Sequence, residues 1–311
     1  MNIESDYPLV SIITPSFNQA DYLEETIQSV LSQDYPHIEY VIVDGGSTDG
    51  SLAIIKKYAN QLAWWVSEPD EGQADAINKG LLRVSGDLVA WLNSDDLYLP
   101  GTIRMVVDAM RADPGVGLVY GDLQSIDADG KVFNTITYQQ YNLDDLLAIR
   151  IIGQPTVFMR RSVQKKAGFL DDSFHFLLDH HLWTRIARLS RIKYIPTTWA
   201  AARHHHMAKN IARAGEFGAE AYRILEWAQT QPDLVEHIRA NPRRVWGGAH
   251  RFNARYLLDS GAAGPALASY WRALLADPVY ALGHWHRMLY AIASLFGLGG
   301  LRKLFRRKER L

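Results

Sequence analysis

Cysteine is missing from all 311 residues, which removes disulfides, thiolate metal sites and a cysteine nucleophile together. Neither sign of charge is in surplus. Against 33 Lys and Arg stand 34 Asp and Glu, so the overall balance gives no reason to expect nucleic acid as a partner. The uncharged run 289–301 is 13 residues long, short of the ~20 that a membrane-spanning helix needs. There is no G-x-x-x-x-G-K-[ST], which argues against a phosphate loop, and no G-x-G-x-x-G after the first expected strand, which leaves a dinucleotide fold unsupported. The opening MNIESDYPLV lacks the basic, apolar, small-residue order of a secretory leader. The catalytic part is therefore expected in the cytoplasm.

What is there reads first as βα units. Short apolar runs near 9–14, 40–43, 62–66 and 88–92 alternate with segments of helical period, the pattern of a parallel sheet. Leu23, Ile27, Val30 and Leu31 share one helix face, and Ile103, Val106, Val107 and Met110 share another, opened by Pro100. A β-rich stretch over 116–137 follows, with Asp129 and Gly130 as a hairpin turn. Next come a strand near 156–159, a short helix ending at Gly168, and a longer helix over about 176–189. From Gly215 onward the pattern is helical only. The chain thus divides at about residue 213, into a domain over 1–212 with halves at about 1–115 and 116–212, and a helical extension over 213–311.

Each of the four expected strands runs into a polar cluster: PSFNQ, DGGSTDG, SEPDEGQ and NSDD. In a parallel sheet these ends lie on one edge, where ligands of open α/β sheets bind. Singly, residues such as Asp21, Asp49 or Ser94 serve equally well as helix caps; four clusters on one edge favour a site. Gly45 and Gly46 allow close backbone approach to a ligand. The edge carries acids rather than basic clamps. Carboxylates hold a diphosphate through a divalent cation, and hard oxygen ligands suit Mg²⁺ or Mn²⁺, with Asp95 and Asp96 the candidates.

In order and spacing, VSIITPSFNQADYLEETIQSVLSQ, YVIVDGGSTDGS, VSEPDEGQADAINKG and LVAWLNSDDLYLPG resemble family 2 glycosyltransferases of the GT-A fold. Downstream, GQPTVFMRRSV and LDHHLWTRIA resemble their acceptor-side segments. The resemblance implies an α/β fold, a Rossmann-like, mostly parallel sheet flanked by helices, with an all-helical C-terminal extension. It implies that Pro15, Ser16 and Asn18 line the nucleotide pocket, that Asp44, Ser47 and Asp49 bind the base and ribose, and that Asn78 and Lys79 lie near the base and phosphates. An i,i+4 pair of Lys79 with Asp75 is the other reading.

NSDD aligns with the family's metal-binding Asp-x-Asp. Asn93 stands in the first acidic place, Ser94 in the middle and Asp95 in the last, the direct ligand, with Asp96 in support. Asp179 aligns with the catalytic base, although Leu178 stands where a Glu often precedes it; a first-turn helix acid is the alternative. Gln154 falls beside the expected acceptor channel. Arg203 and Lys209 are placed at the leaving diphosphate and His205 at the metal, or all three belong to a solvated basic loop. Trp64 and Trp65 are expected in the core.

The implied reaction is inverting transfer of a sugar from a nucleotide diphosphate, UDP by family expectation, to a hydroxyl of a saccharide or lipid-linked acceptor. Polysaccharide, lipopolysaccharide or glycolipid assembly is the setting. The alternative is a non-catalytic nucleotide-sugar-binding or scaffold protein of the same fold, suggested by Asn93 and Leu178. A sugar nucleotidyltransferase would want a basic, Gly-rich loop after the first strand, and PSFNQ is neither. At the C-terminus, 302–311 carries six Lys or Arg directly after the uncharged run. Such a segment suits the surface of an anionic membrane, placing the protein peripherally on the inner face of the cytoplasmic membrane; a final core helix with a soluble basic tail is the other reading.

Overall fold

The four apolar runs become β1 (Val10–Ser16), β2 (Ile38–Asp44), β3 (Trp64–Ser67) and β4 (Leu88–Trp91) in the computed structural model, which describes residues 7–205 and 214–297. β1 and β4 are buried throughout, as strands covered on both faces must be. All four run parallel, β1 between β2 and β4 with β3 outside β2. The connecting helices are α1 (Ala20–Leu31), α2 (Ser51–Tyr58) and α3 (Gln73–Arg83). α3 lies directly on β1: a Cβ on Gly80 would fall 2.5 Å from Ile13 Cγ2. Trp64 and Trp65 are not core residues. β3 is the edge strand, so both rings stay half-buried, and the Arg83 guanidinium covers Trp64 at 4.7 Å.

Beyond β4 come β5 (Leu97–Tyr98), α4 (Thr102–Ala112), β6 (Val116–Ile126), β7 (Val132–Ile136), α5 (Leu143–Leu147), β8 (Phe158–Arg160), α6 (Arg161–Ala167), α7 (Leu178–Leu189) and β9 (Arg191–Arg203). The sheet order is β3-β2-β1-β4-β8-β6-β9-β5, with β7 on β6. β8 runs antiparallel to both β4 and β6, and β5 to β9. The sheet is thus parallel in its first half and mixed as a whole. The hairpin turns as the Asp-Gly pair predicts, with Gly130 at φ +79 and Asp127 accepting the Asp129 and Lys131 amides. β9 is absent from the sequence reading. Pro196 interrupts its pattern, and the structure accommodates that proline where the β6–β9 register slips between Tyr120 and Asp122.

The chain forms two compact units, one of residues up to Gln140 with Ile152–His204, the other of Tyr141–Ile151 with residues from His205 onward. The second unit holds α5 and α8 (Ala214–Gln229), α9 (Pro232–Ala240), α10 (Pro242–Asp259), α11 (Ala263–Ala276), α12 (Pro278–Leu282) and α13 (Trp285–Leu295). Asn142 and Asp145 close a reciprocal cap at the start of α5, and Asp145 also pairs with Arg244. Small residues let α10 and α11 pack closely around Ala254, Leu258, Ala266 and Tyr270. Among the described residues no helix is long and apolar enough to cross a membrane.

Candidate functional site

Because β1 to β4 are parallel, their carboxyl ends open on one edge of the first unit. At the end of β2, Asp44 is 0 % exposed. A buried carboxylate needs donors, and Asp44 has three. Ser47 Oγ donates to Oδ1 at 2.5 Å, while the Ser47 amide at 2.9 Å and Ser67 Oγ at 2.7 Å donate to Oδ2. Ser67 ends β3 in register with Asp44, so strand pairing supplies a partner that motif reading overlooked. Asn18 sits at φ +51, a left-handed conformation that Asn tolerates. Its amide donates to Ser47 Oγ at 2.8 Å and its Oδ1 accepts the Thr48 amide at 2.9 Å, tying the β1 and β2 ends together. Pro15 and Ser16 end β1. The buried Ser16 Oγ has no hydrogen-bond partner among the described residues, an orphan that a ligand at this edge would satisfy.

Other expected donor residues are engaged in holding the scaffold. Asp49 accepts the Ala20 amide on one oxygen and the Ser51 amide on the other, both at 2.9 Å, capping α1 and α2 at once. Burial alone would raise its pKa, but these bonds and the Ser51 hydroxyl outweigh it and hold the carboxyl below its ordinary value. Asn78 exchanges two 2.9 Å hydrogen bonds with the backbone of Leu170. Lys79 pairs with Glu68 at 3.1 Å and Asp75 at 3.3 Å, so the i,i+4 pair exists. Asp70, which sequence reasoning did not single out, lies against the Gly45 backbone, where an added Cβ would meet its Oδ2 at 2.6 Å. Burial first, then repulsion from Asp75 and Asp44, raise its pKa even though Gly72 donates to it. A perturbed carboxyl at such an edge marks a functional candidate.

The end of β4 is organised by amides. Gln73 Nε2 donates to Asn93 Oδ1 at 2.7 Å, and Asn93 Nδ2 donates to Asp96 Oδ2 and to Gln154 Oε1, each at 3.1 Å. Gln154 Nε2 returns to the Trp91 carbonyl at 2.8 Å. Asn93 is therefore the junction of α3, β4 and the 3-10 turn Gln154–Thr156. Ser94 is buried and Asp95 keeps a partly accessible side chain.

Asp96 turns inward. It is 5 % exposed, its Oδ1 accepts the Arg203 amide at 3.0 Å, and burial, followed by the neighbouring Asp95 charge, raises its pKa well above the ordinary value. The Arg203 guanidinium is likewise committed inside the fold. It donates to the carbonyls of Asp95 at 3.1 Å and Ala128 at 3.0 Å and to the Glu25 carboxylate, and it stacks on Tyr22 at 4.8 Å. It thus holds the backbone of Asp95. His205 is buried and falls in the helical unit, and Lys209 lies outside the described residues.

Among the described residues no three His, Asp or Glu side chains converge as a metal cage. A cation of the Mg²⁺ or Mn²⁺ type is commonly bound by one or two carboxylates and completed by substrate phosphates. Of the two acids that end this segment, Asp95 is the one that keeps a partly accessible side chain.

Asp179 opens α7, half-buried, its Oδ1 accepting the His180 amide at 2.6 Å. One turn on, Trp183 stacks on Trp91 with centroids 6.3 Å apart and planes at 21°. Residues four apart share a helix face, and Trp91 precedes Asn93 by two residues. The stack therefore packs the middle of α7, one turn after Asp179, on the last residue of β4, four residues before Asp95.

The family model for glycosyl transferase family 2 matches residues 11–168. An uncharacterized glycosyltransferase of Rickettsia typhi is 30 % identical over 195 residues, 60 % of this chain and 61 % of that protein. The "Putative teichuronic acid biosynthesis glycosyltransferase TuaG" of Bacillus subtilis is 37 % identical over 163 residues, 50 % of this chain and 63 % of that protein. The chain thus spans about three fifths of the length of these relatives. Among solved structures, S. aureus TarS 1–349 in complex with UDP-GlcNAc superposes with TM-score 0.60 at 16 % identity, covering 93 % of this chain and 88 % of that one. The mannosyltransferase PcManGT of Pyrobaculum calidifontis, in complex with GDP-Man and Mn²⁺, gives 0.59 at 24 % identity, covering 94 % and 87 %. These likenesses show the fold, a GT-A-type α/β sheet followed by helices.

Proposed function

The chain belongs to glycosyl transferase family 2, and on that premise we propose that it transfers a sugar, with inversion, from a nucleotide diphosphate to a hydroxyl of a saccharide or lipid-linked acceptor. The observation that supports the proposal is the Trp91–Trp183 stack, which packs the helix carrying Asp179 on the last residue of β4, four residues before Asp95. Asp44, locked by Ser47 and Ser67, with Asn18 and Ser16 beside it, receives the base and ribose. UDP is the expected carrier; the complexes of TarS with UDP-GlcNAc and of PcManGT with GDP-Man show both bases on this fold.

Asp179 takes the proton of the acceptor hydroxyl while that oxygen bonds to the anomeric carbon and the bond to the diphosphate oxygen breaks. One displacement from the opposite face inverts the anomeric configuration. Asp95 would hold a divalent cation of the Mg²⁺ or Mn²⁺ type, whose charge would stabilise the departing diphosphate. Gln73, Asn93 and Gln154 keep the β4 end in place, and Gln154 faces the acceptor side. The name of TuaG supports an acceptor in cell-surface polysaccharide assembly. Trp271, Val279, Trp285 and Phe296 of the helical unit are exposed, which supports peripheral contact with the inner face of the cytoplasmic membrane.

The test is turnover of a panel of nucleotide sugars with Mn²⁺, the product anomer read by NMR, in wild type and Asp179→Asn. Inverted product from the wild type, and a loss of ~10²–10⁴-fold in the variant with donor affinity retained, are expected. Full activity in Asp179→Asn removes it as the base. Donor binding without turnover, even with lipid-linked acceptors, makes the protein a non-catalytic binder.

A further inference from the structure

Four arginines gather inside the helical unit. Arg150, just after α5, and Arg251, on α10, both lie over the ring of Tyr280, at 4.3 and 5.3 Å from its centroid. Arg255 and Arg287 face the Asp259 carboxylate at 3.9 and 3.6 Å, long distances for an ion pair. Arg251 is 7 % exposed, and its Nε has no hydrogen-bond partner among the described residues. The same holds for Arg150 Nε and for the fully buried Tyr270 hydroxyl.

An unpaired buried guanidinium is costly, and native structures rarely leave one without an acceptor. Contact with the Tyr280 ring offsets part of that cost but satisfies no N–H group. The surroundings are strongly positive. Burial, and then the charges of Arg251 and Arg287, push the His284 imidazole down to about 3, so it stays neutral and adds no proton to the group. Burial also pulls Arg251 below the ordinary arginine value, with Arg255 and Arg150 adding to the effect.

We propose that Arg150, Arg251 and the Tyr270 hydroxyl form a binding site for a phosphate-type oxyanion within the helical unit, separate from the donor edge and independent of the transferase reading. Planar guanidinium forks match the oxygens of phosphate, and a tyrosine hydroxyl donates to the same group. Arg150 is half-buried, whereas Arg251 and Tyr270 are buried, so solvent would reach such a site from the Arg150 side. The phosphate comes either from a small solute or from a lipid headgroup, and the exposed Val279, Leu282 and Trp285 on the neighbouring short helices bear on the second source.

The test uses the full chain. Inorganic phosphate is titrated at constant ionic strength against chloride, with heat of binding and thermal midpoint as readouts, in wild type, Arg150→Gln and Arg251→Met. The wild type should bind phosphate and gain thermal stability from it. Arg150→Gln should bind at least ~10-fold more weakly, the scale of a lost charged hydrogen bond. Arg251→Met should lose the response, yet in chloride be no less stable than wild type, because an unpaired charge has left the interior. Cosedimentation with phosphatidylglycerol and phosphatidylcholine vesicles separates the sources. Binding to the anionic vesicles that Arg150→Gln loses identifies a lipid phosphate; a response to free phosphate without vesicle binding identifies a solute. An equal thermal gain in chloride, a response unchanged in Arg150→Gln, or no response to either form overturns the proposal. If Arg251→Met does not fold, Arg150→Gln decides.

Discussion

Replacing Asn93 by aspartate restores the acid that the Asp-x-Asp pattern would place there, and the structure predicts that it does harm. Asn93 Nδ2 donates to Asp96 Oδ2 at 3.1 Å, so Asn93→Asp sets two carboxylate oxygens against each other beside a buried group. At that separation and an effective dielectric of ~20, Coulomb repulsion between two ionised groups reaches about 5 kcal/mol. Rotation of the new side chain relieves part of it, which leaves an expected loss of about 2–4 kcal/mol at pH 8. Gln154 would also have to turn its amide to face the new carboxylate, depriving the Trp91 carbonyl of its donor. Two carboxyls sharing a site have raised folded-state pKa values. The deficit must therefore be absent below the unfolded value of ~3.9, grow as the pH rises from there to the folded value, and level off above it. Urea unfolding of both proteins at several pH values between 5 and 8 measures it. A variant as stable as wild type at pH 8, or one that binds Mn²⁺ with donor more tightly, refutes the assignment of Asn93 as a positioning residue.

Arg203→Ala removes the donors to Asp95, Ala128 and Glu25, and should cost about 3–5 kcal/mol in chemical unfolding, with Arg203→Lys giving little rescue because one ammonium cannot reach the same fork. Both Arg203 variants should also weaken metal-dependent donor binding, since the Asp95 backbone loses its anchor; unchanged binding contradicts this. Glu39 accepts from Ser11, Ser85 and Gly86. Burial would raise its pKa, but these bonds prevail and lower it from 4.5. Its contribution is therefore present above the unfolded value and lost as the pH falls through the folded one. Glu39→Gln should accordingly be less stable than wild type at pH 7, with the gap closing below about pH 4 in thermal melts.

The parallel half of the sheet was legible because β1, β2 and β4 are buried runs that end abruptly in Gly, Asp or Asn, and burial on both faces leaves that imprint on local sequence. β9 was not, since Pro196 breaks the pattern and only a register slip against β6 accommodates it. Local readings served best for Asp49 and Lys79, whose partners lie nearby in the chain or on the next helix start. Arg203 could not be read locally. Its chemistry suits a diphosphate, but Glu25 and Asp95, which claim it, are remote in sequence. The same holds for the amide junction at Asn93, whose partners Gln73 and Gln154 come from other elements. Ser67 became visible only once strand register placed it beside Asp44, and Asp70 only through its approach to the Gly45 backbone.

A nucleotide diphosphate site on the carboxyl edge of β1 to β4 would show itself in calorimetric titration of UDP and GDP in the presence and absence of Mn²⁺, in wild type, Asp44→Ala and Asp95→Ala. The wild type should bind one of the two more tightly with Mn²⁺, Asp44→Ala should weaken binding with or without the metal, and Asp95→Ala should abolish only the metal-dependent part. Binding indifferent to both substitutions, or no binding of either nucleotide, contradicts it.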